Sequence, residues 1–221
     1  MGDRPVNLWT DALHALQYLE GADAIPHRSE GEHALLEYLP KPLARVLDLG
    51  SGDGRLLSIV TTACAPDEAV ALDFSGTMLE RLHVRFGNVP GFRIVAHDMD
   101  YPLPPDLGTF DAIVSSFAIH HLPHPRKRAL YEEVHAHLAP GGVFCNLEHV
   151  ASPTPALHRQ FLAALDLRPE DEDPSNKLLD VQAQLTWMQE IGFVDVDCHW
   201  KWRELALLAG TRARSPLTSK F

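Results

Sequence analysis

Apolar positions in the middle of the chain fall into short blocks separated by helical patterns. Val46, Leu47 and Leu49 make the first block, and Ala69-Val-Ala-Leu-Asp73, Phe92-Arg-Ile-Val-Ala96, Phe110-Asp-Ala-Ile-Val-Ser115 and Gly142-Val-Phe-Cys-Asn-Leu-Glu148 make the next four. Blocks this short and continuous suit strands buried on both faces of a parallel sheet. Helical spacing fills the gaps over Gly76 to Phe86 and Lys127 to Leu138, so right-handed crossovers are expected. Pro140-Gly141-Gly142 reads as the turn from helix into the fifth strand.

The flanks add further elements. Trp9, Leu13 and Leu16 recur at helical spacing, with Ala12 and Leu19 beside them. Ser29 followed by Glu32 fits a capping box ahead of Leu35, Leu36 and Leu39, and Pro40 and Pro42 end that helix. Thr154-Pro155 predicts a capped helix start, and Asp171-Glu-Asp-Pro174 a solvated loop. Another helix is predicted from about Leu178 to Ile191, stopped by Gly192. Phe193 to Cys198 and Trp202 to Ala209 predict an antiparallel pair, and Thr211 to Phe221 a loose tail.

Composition narrows the class without deciding it. At 221 residues, the chain can build one sizeable core. A net charge of −11 argues against a broad nucleic-acid footprint. No apolar run approaches the roughly 20 residues of a membrane span. The start, Met-Gly-Asp-Arg-Pro, has no basic-then-apolar leader pattern. Cys64, Cys145 and Cys198 are odd in number and widely spaced, and Cys145 reads as a small buried hydrophobe. A soluble, reduced, cytoplasmic protein without membrane contact is expected.

Arg45-Val-Leu-Asp-Leu-Gly-Ser-Gly-Asp-Gly54 carries the chemistry. A buried strand runs into a glycine-rich turn and then a helix whose N-terminal amides point at the same place, a cradle for a nucleotide-like ligand. A dinucleotide fingerprint needs a third glycine where Arg55 stands. The loop is also acidic, with Asp48 before it and Asp53 inside it (the latter equally suited to capping the helix). Carboxylates there repel a pyrophosphate and attract a cation, so an NAD-dependent oxidoreductase is disfavoured. Ligands of such sheets bind beyond the carboxyl ends of the strands. The second strand ends in Asp73-Phe74-Ser75, the third leads to His97-Asp98-Met99, the fourth to Ser115-Ser116-Phe117-Ala118-Ile119-His120-His121-Leu122, and the fifth ends at Glu148-His149. Asp73 can accept from ribose hydroxyls, and Asp98 from an adenine amine whose face Met99 covers.

Over roughly residues 25 to 209, these segments resemble, in order, the motifs of class I S-adenosylmethionine (SAM)-dependent methyltransferases of the small single-domain type. The resemblance implies an α/β fold: a Rossmann-like, seven-stranded, mostly parallel sheet with helices on both faces and a C-terminal antiparallel strand pair. One domain over 1–221 is then expected, with a helical lid over 1–44, a SAM-binding core over 45–209 containing a lid segment at 150–180, and a tail at 210–221. The resemblance also implies that Asp73 binds the ribose, that Asp98 binds adenine, and that Asp48, Gly50, Ser51 and Gly52 hold the methionine part. Phe74, Ser75, Met78, Met99, Ser115 and His121 complete the cofactor set, with plain core packing the competing role for Phe74 and Met78. Ile25-Pro-His-Arg-Ser29 and the Trp202-to-Ala209 strand are similar to tRNA wobble-uridine enzymes that use carboxy-SAM. That similarity implies a cofactor contact for Arg28.

The expected reaction is methyl transfer to an oxygen or nitrogen of a small-molecule acceptor, with S-adenosylhomocysteine as product. Histidine can take a proton near neutral pH, and His149, His120 and His121 are the candidate bases. His120, His121 and His124 cluster without a carboxylate partner nearby in sequence, and no metal is expected. Trp9, Tyr18, His27, His158 and Phe161 in the flanking segments suggest an apolar or aromatic acceptor. Nucleic acid is not an expected partner, and a homodimer is an admissible assembly. A tRNA-modifying enzyme and a non-catalytic SAM-binding protein are the alternatives.

Overall fold

The computed structural model describes residues 25–214. The predicted helix over 9–19, including Tyr18 of the expected lid, and the tail beyond 214 lie outside those residues.

Seven strands form one sheet: β1 (Arg45–Leu49), β2 (Glu68–Asp73), β3 (Phe92–Ala96), β4 (Phe110–Ser116), β5 (Leu138–His149), β6 (Phe193–Trp202) and β7 (Leu205–Arg212). Their order is β3-β2-β1-β4-β5-β7-β6. The first five strands pair in parallel, while β7 pairs antiparallel to both β5 and β6. Six α-helices cover the sheet among the described residues: α1 (Arg28–Tyr38), α2 (Arg55–Cys64), α3 (Gly76–Phe86), α4 (His124–His137), α5 (Pro155–Ala164) and α6 (Val181–Ile191).

Alternating strand residues divide into two cores. Val46, Ala69, Ala71, Val114 and Cys145 pack with α1, α2, α3 and α5, through Leu35, Leu57, Leu82 and Phe161. Leu47, Leu49, Val70, Leu72 and Phe144 pack with α4 and α6, through Leu130, Tyr131 and Met188. Burial on both faces is why the strands read as unbroken apolar runs. From β1, the chain builds outward to β2 and β3, then returns to the other side for β4. The order reverses at β1 and β4, which opens a crevice above their carboxyl ends.

Several local expectations need correction. Pro140-Gly141-Gly142 lies inside β5, which begins at Leu138; the positive φ of Gly141 (86°) is absorbed as an irregularity in the pairing with β4. The Ser29–Glu32 capping box is absent: His27 is the N-cap without a side-chain bond, because the Glu32 carboxylate is taken by Arg28 and Arg55. α4 starts at His124, earlier than the periodicity indicates. α6 starts at Val181, where Asp180 accepts the Ala183 N–H at 2.9 Å. β7 continues through Thr211 to Arg212, residues that read as tail. The Thr154 cap is present, accepting the Leu157 N–H at 3.3 Å.

Candidate active site

A cavity of about 490 Å³ occupies that crevice. Twelve of the thirteen predicted cofactor positions line it: Asp48, Gly50, Ser51 and Gly52 after β1; Asp73, Phe74 and Ser75 after β2; Met78 on α3; Asp98 and Met99 after β3; Arg28 on α1; and His121 after β4. Ser115 does not. It is fully buried, with its Oγ donating to the Leu49 carbonyl at 2.8 Å, so it ties β4 to β1. Successive strand residues face opposite ways, and the next one, Ser116, lines the cavity instead.

The loop after β1 is fastened to β2. Gly50 and Ser51 both donate backbone N–H groups to the Leu72 carbonyl, at 2.9 and 3.0 Å. Ser51 Oγ donates to the Asp48 carbonyl and accepts from Leu72 N–H. Gly52 has φ +56°, and a Cβ placed there would meet nothing within 4 Å, so its backbone borders open space a ligand can fill. Gly54 has a different reason: a Cβ there would sit 2.3 Å from Phe86. The third glycine of this loop therefore lets α3 pack closely, although it stands one position earlier than the dinucleotide pattern requires.

Charge in the cavity is arranged in two parts. Asp48 is completely buried, and neither carboxylate oxygen makes a hydrogen bond of normal geometry, although the Ser51 hydroxyl and the Leu57 N–H lie close enough to oppose part of the burial effect. Burial, with the nearby Asp73, pushes its pKa up to about 7. A buried carboxylate left this way calls for a donor or cation from a ligand. Asp73 accepts Gly52 N–H on one oxygen at 2.8 Å and Ser75 N–H on the other at 2.9 Å, and burial raises its pKa as well. At the opposite rim, Glu32 takes both Arg28 (3.0 Å) and Arg55 (2.8 Å), so two guanidiniums share this carboxylate. Asp53 caps Arg55 N–H at 3.2 Å and also lines the cavity. An acidic floor of this kind fits a ligand that carries an ammonium, which SAM does.

Of the three candidate bases, His121 alone is on the cavity wall. Its Nδ1 is 2.8 Å from Ser175 Oγ, and burial beside His120 and Lys177 drives its pKa down to about 2. His121 therefore stays neutral and is a poor proton acceptor. His120 stacks behind it at 4.0 Å, with Nδ1 2.7 Å from Glu148 Oε1. His120, Lys127 and Asn146 hold buried Glu148 below the usual carboxylate range, against the opposing effect of burial. Burial, in turn, keeps His120 below the usual imidazole range. His149 is turned away to Glu204, its Nε2 lying 3.0 Å from Oε2.

Sequence reasoning missed other wall residues. Phe117 has a positive φ of 52° and lies under the Arg28 guanidinium at 5.2 Å. Strained non-glycine backbone of this kind gathers at functional sites, but a linear pattern does not reveal it. Pro174, Ser175 and Lys177 also line the cavity, in the segment read as a solvated loop and in the residues after it.

Residues 46–142 match the family model described as a methyltransferase domain. A demethylmenaquinone methyltransferase from Clavibacter sepedonicus is 33% identical over 117 residues, which are 53% of this chain and 46% of that protein. Among solved structures, an O-methyltransferase family protein from Burkholderia thailandensis superposes with a TM-score of 0.72 at 15% identity, over 94% of this chain and 62% of that one. Human N-acetylserotonin methyltransferase in complex with SAM superposes at 0.67 and 14% identity, over 93% and 58%. The chain thus spans about half the length of the curated relative. Residues 46–142 thus resemble a methyltransferase domain, and the described chain shares its fold with the solved methyltransferase structures. No helix of the described residues is long and apolar enough to cross a membrane.

Proposed function

We propose that this protein transfers the methyl group of SAM to an oxygen or nitrogen of a small, largely apolar acceptor. The single observation that carries the reading is Asp48, buried and weakly partnered at the floor of a cavity built from the glycine loop. Bound SAM would supply an electrophilic methyl on its sulfonium. In this reading, Asp48 and the loop amides hold the methionine part, with its carboxylate toward Arg28 and Arg55. Asp73 keeps lone pairs for ribose hydroxyls, since a carboxylate accepts up to four bonds and two are used. Asp98 and Met99 take the adenine. The remaining wall, with Phe117, Leu122, Pro123 and Pro174, receives the acceptor.

The proton of a hydroxyl or amine acceptor needs a destination. His121 meets the acceptor as a neutral hydrogen-bonding group, the proton leaves to water, and His120 behind it, off the cavity wall, holds His121 in place. Glu148 accepts the Nδ1 proton of His120. Three free cysteines and the acidic charge balance support a cytoplasmic location and argue against an RNA acceptor. The test is transfer of labelled methyl from SAM to a small-molecule pool that includes demethylmenaquinone, with bulk tRNA in parallel. Label in the small-molecule fraction supports the proposal, whereas label confined to tRNA overturns it.

A further inference from the structure

A second ionic cluster lies outside the cavity and is used by none of the chemistry above. Glu204 sits in the turn between β6 and β7 with its side chain fully buried. It accepts from His149 at the end of β5 on one oxygen, at 3.0 Å. Its other oxygen is 2.9 Å from Nδ1 of His158 on α5. The second ring nitrogen of His158, Nε2, is 3.2 Å from Glu172 Oε2. His158 and Glu172 are partly exposed, at 29% and 26%, so the proton on this ring exchanges with solvent.

An imidazole with each nitrogen facing a carboxylate donates to both only when it carries two protons. The bridge is therefore an imidazolium between two carboxylates, and it joins parts of the chain that share no strand pairing. Glu172 lies two residues before Pro174, where the chain enters the cavity wall. That wall is then held at its other end, where Lys177 N–H donates to the His120 carbonyl at 2.9 Å and Ser175 Oγ meets His121 Nδ1. Between Glu172 and Lys177, the segment has no helix or strand of its own.

We propose that His158 is a positioning residue: as an imidazolium bridging Glu204 and Glu172, it straps the 172–177 segment down as one wall of the cavity, and loss of its proton loosens that wall. The charged groups around it are Glu204 and Arg203 from the β6–β7 turn, Glu172 from the strapped segment, and His149 beyond Glu204. Arg203 reaches α5 at the Gln160 carbonyl, 3.3 Å away. The two carboxylates raise the pKa of His158 above the ordinary imidazole value, against its partial burial. The strap is accordingly complete below about pH 6.5, the unfolded value, and is lost as pH rises through the higher folded value. The inference depends on the wall's geometry and not on which ligand the cavity takes.

Hydrogen exchange of peptides covering 173–180 tests it, expressed as protection factors so that the intrinsic pH dependence of exchange cancels. Wild type, His158→Gln and Glu172→Gln are compared from pH 6 to pH 9. Wild-type protection should fall by roughly two- to fivefold with rising pH, the size of a partly exposed ion pair. Both variants should start at the low value and stay flat, and the double variant should lose no more than either single one. Should His158→Gln fold poorly, Glu172→Gln carries the test alone, because Glu172 lies at the surface. Wild-type protection that does not change with pH, or full protection in Glu172→Gln, overturns the proposal. Protection in peptides from β4 serves as the folding control.

Discussion

The backbone N–H of Gly52 donates to Asp73 Oδ2 at 2.8 Å, so the glycine loop after β1 is tied to the end of the neighbouring strand by the same carboxylate that the proposed site offers to a ribose. One side chain both shapes the loop and faces the ligand. Asp73→Asn removes a charged acceptor and turns an amide toward the loop. S-adenosylhomocysteine should bind about 10- to 100-fold more weakly to this variant, as expected when one charge-assisted bond is lost at about 1.5–3 kcal/mol. Calorimetric titration measures this directly, and unchanged affinity would remove Asp73 from the site.

Asp48 makes a prediction about pH. Its folded-state pKa of about 7 lies above the unfolded value of 3.8, so folding disfavours the ionised form. Its contribution to stability is intact below about pH 4 and declines as pH rises to about 7, by an order of 4 kcal/mol at about 1.4 kcal/mol per unit. Asp48→Asn without ligand should therefore melt at a higher temperature than wild type at pH 8, while binding S-adenosylhomocysteine poorly. An equal or lower melting temperature at pH 8 would contradict the buried, weakly partnered state of this carboxylate.

Gly54 and Gly52 should respond oppositely to alanine. Gly54→Ala places a methyl against Phe86 at a positive φ, and overpacking of this kind costs about 1–3 kcal/mol before backbone strain is added. A fall in Tm of about 5–10 °C is expected for a chain of this length. Gly52→Ala meets no neighbouring atom and carries only the strain of its positive φ, about 1–2 kcal/mol, so it should lose less stability than Gly54→Ala and more ligand affinity, because the methyl projects toward the cavity. Thermal melts beside calorimetry of both variants separate the two roles.

The strands and the glycine loop were legible because their signals are local: apolar blocks, a turn rich in glycine, and carboxylates at strand ends. Ser115 lies one residue from the cavity wall, since strand direction fixes which of two adjacent serines faces the crevice, and only the register with β1 decides that. The histidines illustrate a deeper limit. His120, His121 and His149 look equivalent in sequence, yet Glu148 and Glu204 reach them from later in the chain and assign each a different environment. Glu204 itself falls inside the predicted Trp202-to-Ala209 strand, where nothing marks it as a partner for histidines. Pro174 to Lys177 carry no pattern that marks a cavity wall.

That division among the histidines is testable through pH. Burial holds His120 below the usual imidazole range, so it is unprotonated at neutral pH, and the acid limb of kcat should lie below about pH 6.5. His120→Ala should lower kcat by less than about 10²-fold, since it removes a contact that positions His121 and not the general base. His121→Asn should act mainly on KM for the acceptor. An acid limb unmoved by His120→Ala would remove that histidine from the pH dependence.

The most direct measurement is calorimetric titration with SAM at pH 7 in two buffers of different ionisation enthalpy. Asp48 is close to half-protonated there when the cavity is free of ligand, and a cation placed against it favours the ionised form. Micromolar binding with release of a fraction of a proton, abolished in Asp48→Asn, is the predicted result. The absence of SAM binding, or binding with no proton released and no dependence on Asp48, would contradict the account.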